Sequence, residues 1–151
     1  GYRVDSHRVA GWWKDTGNAE DLIDANRLIL ERLDPRLGSA IDTSVVMDGP
    51  VSVGKNVRIQ RCRIRGPVVI GDDCVLEDAT LGPFTSIGNH CQLRRCEVEN
   101  SILMEHSTIS GISERIEGSI LGEQSSVTGN GHKPRAHRLV LGDRCEVVLG
   151  Q

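Results

Sequence analysis

Aliphatic residues recur along the middle of this chain at a fixed interval. From Val53 it reads V-GKNVR-I-QRCR-I, ending at Ile64; from Ile70, I-GDDCV-L-EDAT-L, ending at Leu81; from Ile87, I-GNHCQ-L-RRCE-V, ending at Val98. The blocks align without gaps, and their starts at 53, 70 and 87 are 17 residues apart. Apolar steps of six, five and six residues fit no helical stripe of period 3.6. They fit a coil with three short flat sides, stacked on the next coil at about 4.8 Å. Each coil then buries its inner face only against its neighbours, so the spacing predicts a solenoid of short parallel strands. Upstream, Met47 and Val51 continue the columns of Ile64 and Val68.

The first forty residues have another pattern. Leu22, Ile23, Asn26, Ile29, Leu30 and Leu33 form a largely apolar stripe at helical spacing. Asn18 supplies a cap with Asp21 as its capping-box acid, and Pro35 ends the helix. Glu20, Asp21 and Asp24 lie at its positive end, Arg27 and Arg32 towards its negative end. A helix from Asn18 to Leu33 is expected, and the N-terminal end of the solenoid is expected to be covered by this helix or by the catalytic domain it belongs to. Tyr2 to Val9 alternates in part, as a half-buried strand does.

Beyond Val98 the repeat loosens. The register is expected to slip after Met104 and to recover at I-EGSI-L-GEQSS-V, from Ile116 to Val127. TGNGHKPRAHRLV then reads as a loop leaving the solenoid, before a last partial coil at L-GDRCE-V from Leu141.

The repeat assigns the cysteines. Five are present, an odd number with no CxxC pair, which argues against a disulfide framework or a metal site. Cys74 and Cys91 share a column with Val57, Cys62 and Cys96 one with Ala79 and Val45, and Cys145 repeats the Cys74 position. Where Cys alternates with Val or Ala the environment is a small packing site. Serine at 74 or 91 would there bury a hydroxyl without a partner, at about 1–3 kcal/mol. The charges form columns too: Arg61, Asp78 and Arg95 in one, Glu77 under Arg94, and Arg63 two coils from Glu97. These read as a solvated face whose opposite signs hold register.

Aromatic residues make up only 3% of the chain, so Val, Ile, Leu, Ala and Cys must fill the core. The net charge of -3, with both signs intermixed, carries no footprint for nucleic acid or an anionic membrane. No apolar run approaches the ~18 residues of a membrane span, and the N-terminus shows no apolar signal segment. A cytoplasmic location is the expectation.

The blocks also resemble the hexapeptide repeat, which implies a left-handed parallel β-helix. The resemblance sharpens at GWWKDTGNAEDLIDANRLIL, Gly11 to Leu30. This stretch resembles the end of the catalytic domain of sugar-1-phosphate nucleotidyltransferases, closest to the long-form glucose-1-phosphate thymidylyltransferases, whose W-x-D-T-G motif precedes a helix and a β-helix. PRAHRLVLGDRCEVVLG resembles the tail of the same group. The resemblance implies a fold that is mainly β, with residues 1–37 the C-terminal remnant of a nucleotidyltransferase domain and 38–151 a left-handed β-helix domain. It implies a reaction in which a sugar 1-phosphate attacks a nucleoside triphosphate and releases pyrophosphate, with Mg²⁺ as cofactor. Asp15 maps onto a metal ligand of that family, and Thr16 and Gly17 onto the turn that presents it. The family's glycine-rich triphosphate loop lies upstream of this motif and has no counterpart here; GNGHK at 129–133 opens no helix after a strand. The chain is therefore expected to be the C-terminal portion of a longer enzyme, inactive and without cofactor by itself. Its β-helix would serve assembly into a homo-oligomer, or regulation. Two other readings are a non-catalytic oligomerisation module and an acetyl-CoA-dependent acyltransferase. The latter needs a histidine base. Of His90, His106, His132 and His137, the loop residues His132 and His137 are best placed, and His90 sits in the outward column of Asn56 and Asp73.

Overall fold

The computed structural model describes residues 17–129 and 139–149. Helix α1 (Ala19–Leu30) precedes a first coil of strands β1 (Val46–Asp48), β2 (Val51–Val53) and β3 (Arg58–Gln60). Each later coil adds a strand to each side, giving three parallel sheets: five strands on the β1 side and six each on the β2 and β3 sides. The register is the predicted one. Met47 pairs with Ile64 and Ile64 with Leu81 on the first side, Val53 with Ile70 and Ile70 with Ile87 on the second, Ile59 with Leu76 and Leu76 with Leu93 on the third. These aliphatics point inward and form one core, with Leu76, Leu81 and Leu93 fully buried. Backbone bonds from coil to coil, such as Gly54 N to Ile70 O at 2.8 Å and Gly71 N to Ile87 O at 2.8 Å, hold the stack.

Most corners share one rule. A residue in the left-handed region turns the chain, and the next side chain, a small one, fills the corner. At one corner these are Arg61, Asp78 and Arg95 (φ 50°, 52° and 47°), followed by Cys62, Ala79 and Cys96. At another they are Asn56, Asp73, His90 and His106 (φ 55°, 57°, 59° and 59°), followed by Val57, Cys74, Cys91 and Ser107. Each non-glycine residue held there costs roughly 1–2 kcal/mol, offset by the stacking it permits.

The slip comes earlier than expected, before Met104 and not after it. Leu103 pairs with Ile87 and Ile109 with Leu93, 16 residues apart in each case. The missing residue lies at the corner between Val98 and Ile102. Gly82, Pro83 and Phe84 turn this corner in the coil before. Here Asn100, at φ 47°, and buried Ser101 suffice. Gly118 (φ 57°) and Ser119 repeat the shorter form.

The outward charges pair as columns, with one change. Arg61 grips Asp78 through two hydrogen bonds of 2.7 and 2.9 Å, which hold the Asp78 carboxyl below the usual carboxylate range, and Arg94 lies 3.6 Å from Glu77. Glu97 pairs with Arg115 at 2.7 Å, and Arg63 does not reach it across the intervening Thr80.

All five cysteines are free, four of them buried, as packing sites require. The Cys74 column does more than pack. Cys74 and Cys91 each donate to a carbonyl of the next coil, Gly88 O and Met104 O, at 3.1 Å; Ser107 donates to Gly122 O at 3.0 Å and Ser125 to Gly142 O at 2.9 Å. A hydroxyl placed there has a partner waiting, which overturns the expected penalty for serine. Cys91→Ser is expected to cost less than about 1 kcal/mol in chemical denaturation; a loss above about 2 kcal/mol would contradict the ladder. Burial pushes the Cys96 thiol up to about 12 and raises Cys62, and the neighbouring Cys74 thiol together with burial raises Cys91. Thiolate is the reactive form. Native-state labelling is therefore expected to modify Cys145, in the last coil, well before Cys62, Cys91 or Cys96.

Candidate functional site

The part of the W-x-D-T-G segment that the structure describes begins at Gly17. Asn18 caps α1: its side-chain oxygen accepts from Asp21 N at 2.9 Å, and its amide donates to the Asp21 carboxylate at 2.6 Å. The N-cap read from the sequence is thus in place, with the Asp21 carboxylate answering at the Asn18 side-chain amide, and Glu20 and Asp21 stand in the first turn. The helix is shorter than expected. It ends at Leu30 with Glu31 as its C-cap, and Arg32 N and Leu33 N bond back three residues to Ile29 O and Leu30 O.

Its docking also differs from expectation. The helix does not close the N-terminal end of the solenoid. It lies on the outer face of the sheet begun by β2, at the third coil. The Asn26 amide donates to Phe84 O at 2.9 Å, and its oxygen accepts from the Ser86 hydroxyl at 2.5 Å. The Arg27 guanidinium stands over the Phe84 ring at 4.6 Å. Ile23, Ala25 and Leu30 are buried, whereas Ile29, assigned to the apolar stripe, is 64% exposed. Asn26 looked like an imperfect member of that stripe. It is the polar anchor that sets where the helix sits, because both halves of its amide are satisfied at one place on the sheet. At the N-terminal end of the solenoid Leu37 is 61% and Val46 58% exposed, and among the described residues the helix does not cover them. The solenoid's hydrogen bonding already starts at Arg36 O and Gly38 N, both bonded to Val53 at 2.7 Å.

Asp15, the metal ligand implied by resemblance, lies outside the described residues, as do Trp12, Thr16 and the Tyr2–Val9 segment. So do His132 and His137. Of the four candidate histidine bases, His90 and His106 are described. They stand on adjacent coils with ring centroids 4.7 Å apart and 6° between planes, and His90 Nδ1 lies 3.9 Å from Asp73. The sequence placed His90 in this column; the early slip hid that His106 belongs to it too. Among the described residues no three His, Cys, Asp or Glu side chains converge as a metal-holding group. Nor is any described helix long and apolar enough to cross a membrane.

No family-wide sequence model matches the chain. Individual proteins do. It is 43% identical over 149 residues to a glucose-1-phosphate thymidylyltransferase of Streptomyces antibioticus, a match that covers 99% of this chain and 42% of that protein. A glucose-1-phosphate thymidylyltransferase of Streptomyces griseus is 40% identical over the same shares. The low-salt glycan biosynthesis nucleotidyltransferase Agl11 of Haloferax volcanii is 36% identical over 152 residues, again 99% of this chain and 42% of that protein. The chain thus spans less than half the length of these relatives. Helix and solenoid together, it matches the C-terminal portion of glucose-1-phosphate thymidylyltransferases.

Proposed function

We propose that this chain is the C-terminal part of a nucleotidyltransferase that makes a nucleoside-diphosphate sugar, dTDP-glucose from glucose 1-phosphate and dTTP. In that reaction a phosphate oxygen of the sugar 1-phosphate attacks the α-phosphorus of the triphosphate, and pyrophosphate leaves. The observation that carries the reading is the 43% identity over 149 residues, which runs through the W-x-D-T-G helix and the solenoid alike.

Asp15 is proposed to hold Mg²⁺. The donor chemistry fits: a single carboxylate is the hard oxygen ligand Mg²⁺ takes, alongside the phosphates of its substrate. Bound there, Mg²⁺ would neutralise phosphate charge. The chain's own contribution is to fix the helix immediately C-terminal to Asp15. The Asn18 cap fixes the start of that helix, and the Asn26 anchor ties the helix to the solenoid. The solenoid itself is proposed to hold subunits together in a homo-oligomer.

A coupled pyrophosphate-release assay with dTTP, glucose 1-phosphate and Mg²⁺ tests the reading. The longer protein is expected to turn over, and the 151-residue chain alone to stay at the blank rate. Clear turnover by the isolated chain would show that it carries its own active site. No pyrophosphate from the longer protein with any nucleoside triphosphate and hexose 1-phosphate would remove the nucleotidyltransferase reading.

A further inference from the structure

We infer that Asn26 is a positioning residue for nucleotidyl transfer: with Phe84 and Ser86 it forms the joint by which the third coil sets the place of the W-x-D-T-G segment, and of Asp15 with it. The inference rests on the nucleotidyltransferase reading above. Asp15 stands three residues before the helix cap Asn18. Three residues of chain span at most about 11 Å, so Asp15 follows wherever the start of the helix goes.

Three observations fix the helix at one place. First, burial of Ile23, Ala25 and Leu30 holds the helix on the sheet but, being non-directional, does not choose a coil. Asn26 does. Its amide donates to Phe84 O at 2.9 Å, and its oxygen accepts from the Ser86 hydroxyl at 2.5 Å. The residues stacked on Ser86 to either side are Val69 and Ile102, so one coil away in either direction the Asn26 oxygen finds no hydroxyl. Second, Phe84 holds φ at 61°, a strained conformation for an aromatic residue. The register puts Pro67 at the same place in the coil before, and Asn100 and Gly118 in the two coils after. The proline ring excludes a positive φ, whereas Asn and Gly take it readily. Of these four coils only the third sets a bulky side chain on a left-handed corner, and that residue's carbonyl and ring both meet the helix. Third, the Arg27 guanidinium stands over the same ring at 4.6 Å. Two consecutive helix residues thus grip one corner residue.

Asn26→Ala tests the joint, because alanine favours the helix more than asparagine does and removes both bonds. Ser86→Ala removes one, Ser86→Thr keeps the hydroxyl, and Ile29→Ala alters a 64% exposed side chain of the same helix. In the longer protein, pyrophosphate release is measured with dTTP and glucose 1-phosphate at saturating Mg²⁺. Asn26→Ala is expected to lower kcat about tenfold or more, since a misplacement near 1 Å costs that much. KM for both substrates should stay within about twofold. Ser86→Ala should lower kcat less, Ser86→Thr should recover most of that loss, and Ile29→Ala should match the wild type. A second measurement needs neither metal nor substrate. In hydrogen exchange of the 151-residue chain, the amides of residues 23–30 should exchange about tenfold faster in Asn26→Ala and at the wild-type rate in Ile29→Ala, with the solenoid amides unchanged. A wild-type protein that releases no pyrophosphate defeats the nucleotidyltransferase reading and this inference with it. An active wild type whose Asn26→Ala variant keeps kcat within about twofold overturns the positioning inference alone. So does helix exchange that stays at the wild-type rate in Asn26→Ala. A loss of kcat accompanied by faster exchange throughout the solenoid would make Asn26 a residue of general stability and overturn its positioning role too.

Discussion

In the longer nucleotidyltransferase proposed for this chain, Asp15→Asn is expected to lower turnover by one to several powers of ten, while the melting temperature stays within a degree or two. A neutral amide is a poor Mg²⁺ ligand, and charge on the phosphates grows towards the transition state, so the loss falls on the chemical step. Such a loss is on the order of a few kcal/mol of activation free energy. Asp34→Asn is the matching control: its exposed carboxylate pairs with Arg36 at 3.2 Å on the surface. Steady-state pyrophosphate release with a Mg²⁺ titration separates the two variants. Equal activity in both would take Asp15 out of the metal site.

Gly71→Ala is expected to cost about 3 kcal/mol or more, among the largest effects a single methyl group produces. A Cβ at position 71 would stand 2.5 Å from Asn89 Oδ1, 2.7 Å from Gly88 C and 2.8 Å from Asn89 N. The coil above would have to lift, breaking the 2.8 Å bond from Asp72 N to Asn89 Oδ1 and disturbing the Gly71 N to Ile87 O bond. Gly118→Ala makes the comparison sharp. A Cβ there meets nothing within 4 Å, but φ is +57°, so only backbone strain opposes it, roughly 1–2 kcal/mol. Urea denaturation of both variants resolves the difference. If Gly71→Ala proved the milder change, the close approach of neighbouring coils would not be what excludes side chains from this column.

Most of the solenoid was legible because its repeat is written in residue types. Inward aliphatics, corner cysteines and charge columns recur at the spacing that sets one coil on the next, and a side chain's environment is fixed by its place in the period. What failed was the accounting of one residue. Asn100 and Gly118 replace a three-residue corner with a shorter one, and nothing in their identity marks the deletion until the pairing of Leu103 with Ile87 is seen. His106 was lost with it. The anchor was missed for another reason. An amphipathic pattern reports which face of a helix is buried and not what it is buried against, so Asn26 read as noise in a stripe until Phe84 and Ser86 stood opposite it. Serine's fit in the Cys74 column was hidden likewise, because a backbone acceptor has no letter in the sequence.

The near-constant separation between stacked residues also bears on how the chain reaches this state. Almost every inter-coil partner lies 16 to 20 residues away, as in Leu103 with Ile87 and Leu141 with Leu121. Measured against 151 residues, that is a relative contact order of about 0.11, in the range of helical bundles and below that of most β proteins. Loops of this size close at little entropic expense. Winding can begin at any pair of coils and spread both ways, without waiting for the chain ends to meet. The helix breaks the pattern: Asn26 must find Phe84 and Ser86, 58 and 60 residues away. Its docking surface does not exist until the third coil has wound, so docking of the helix is expected to follow the winding of the strands.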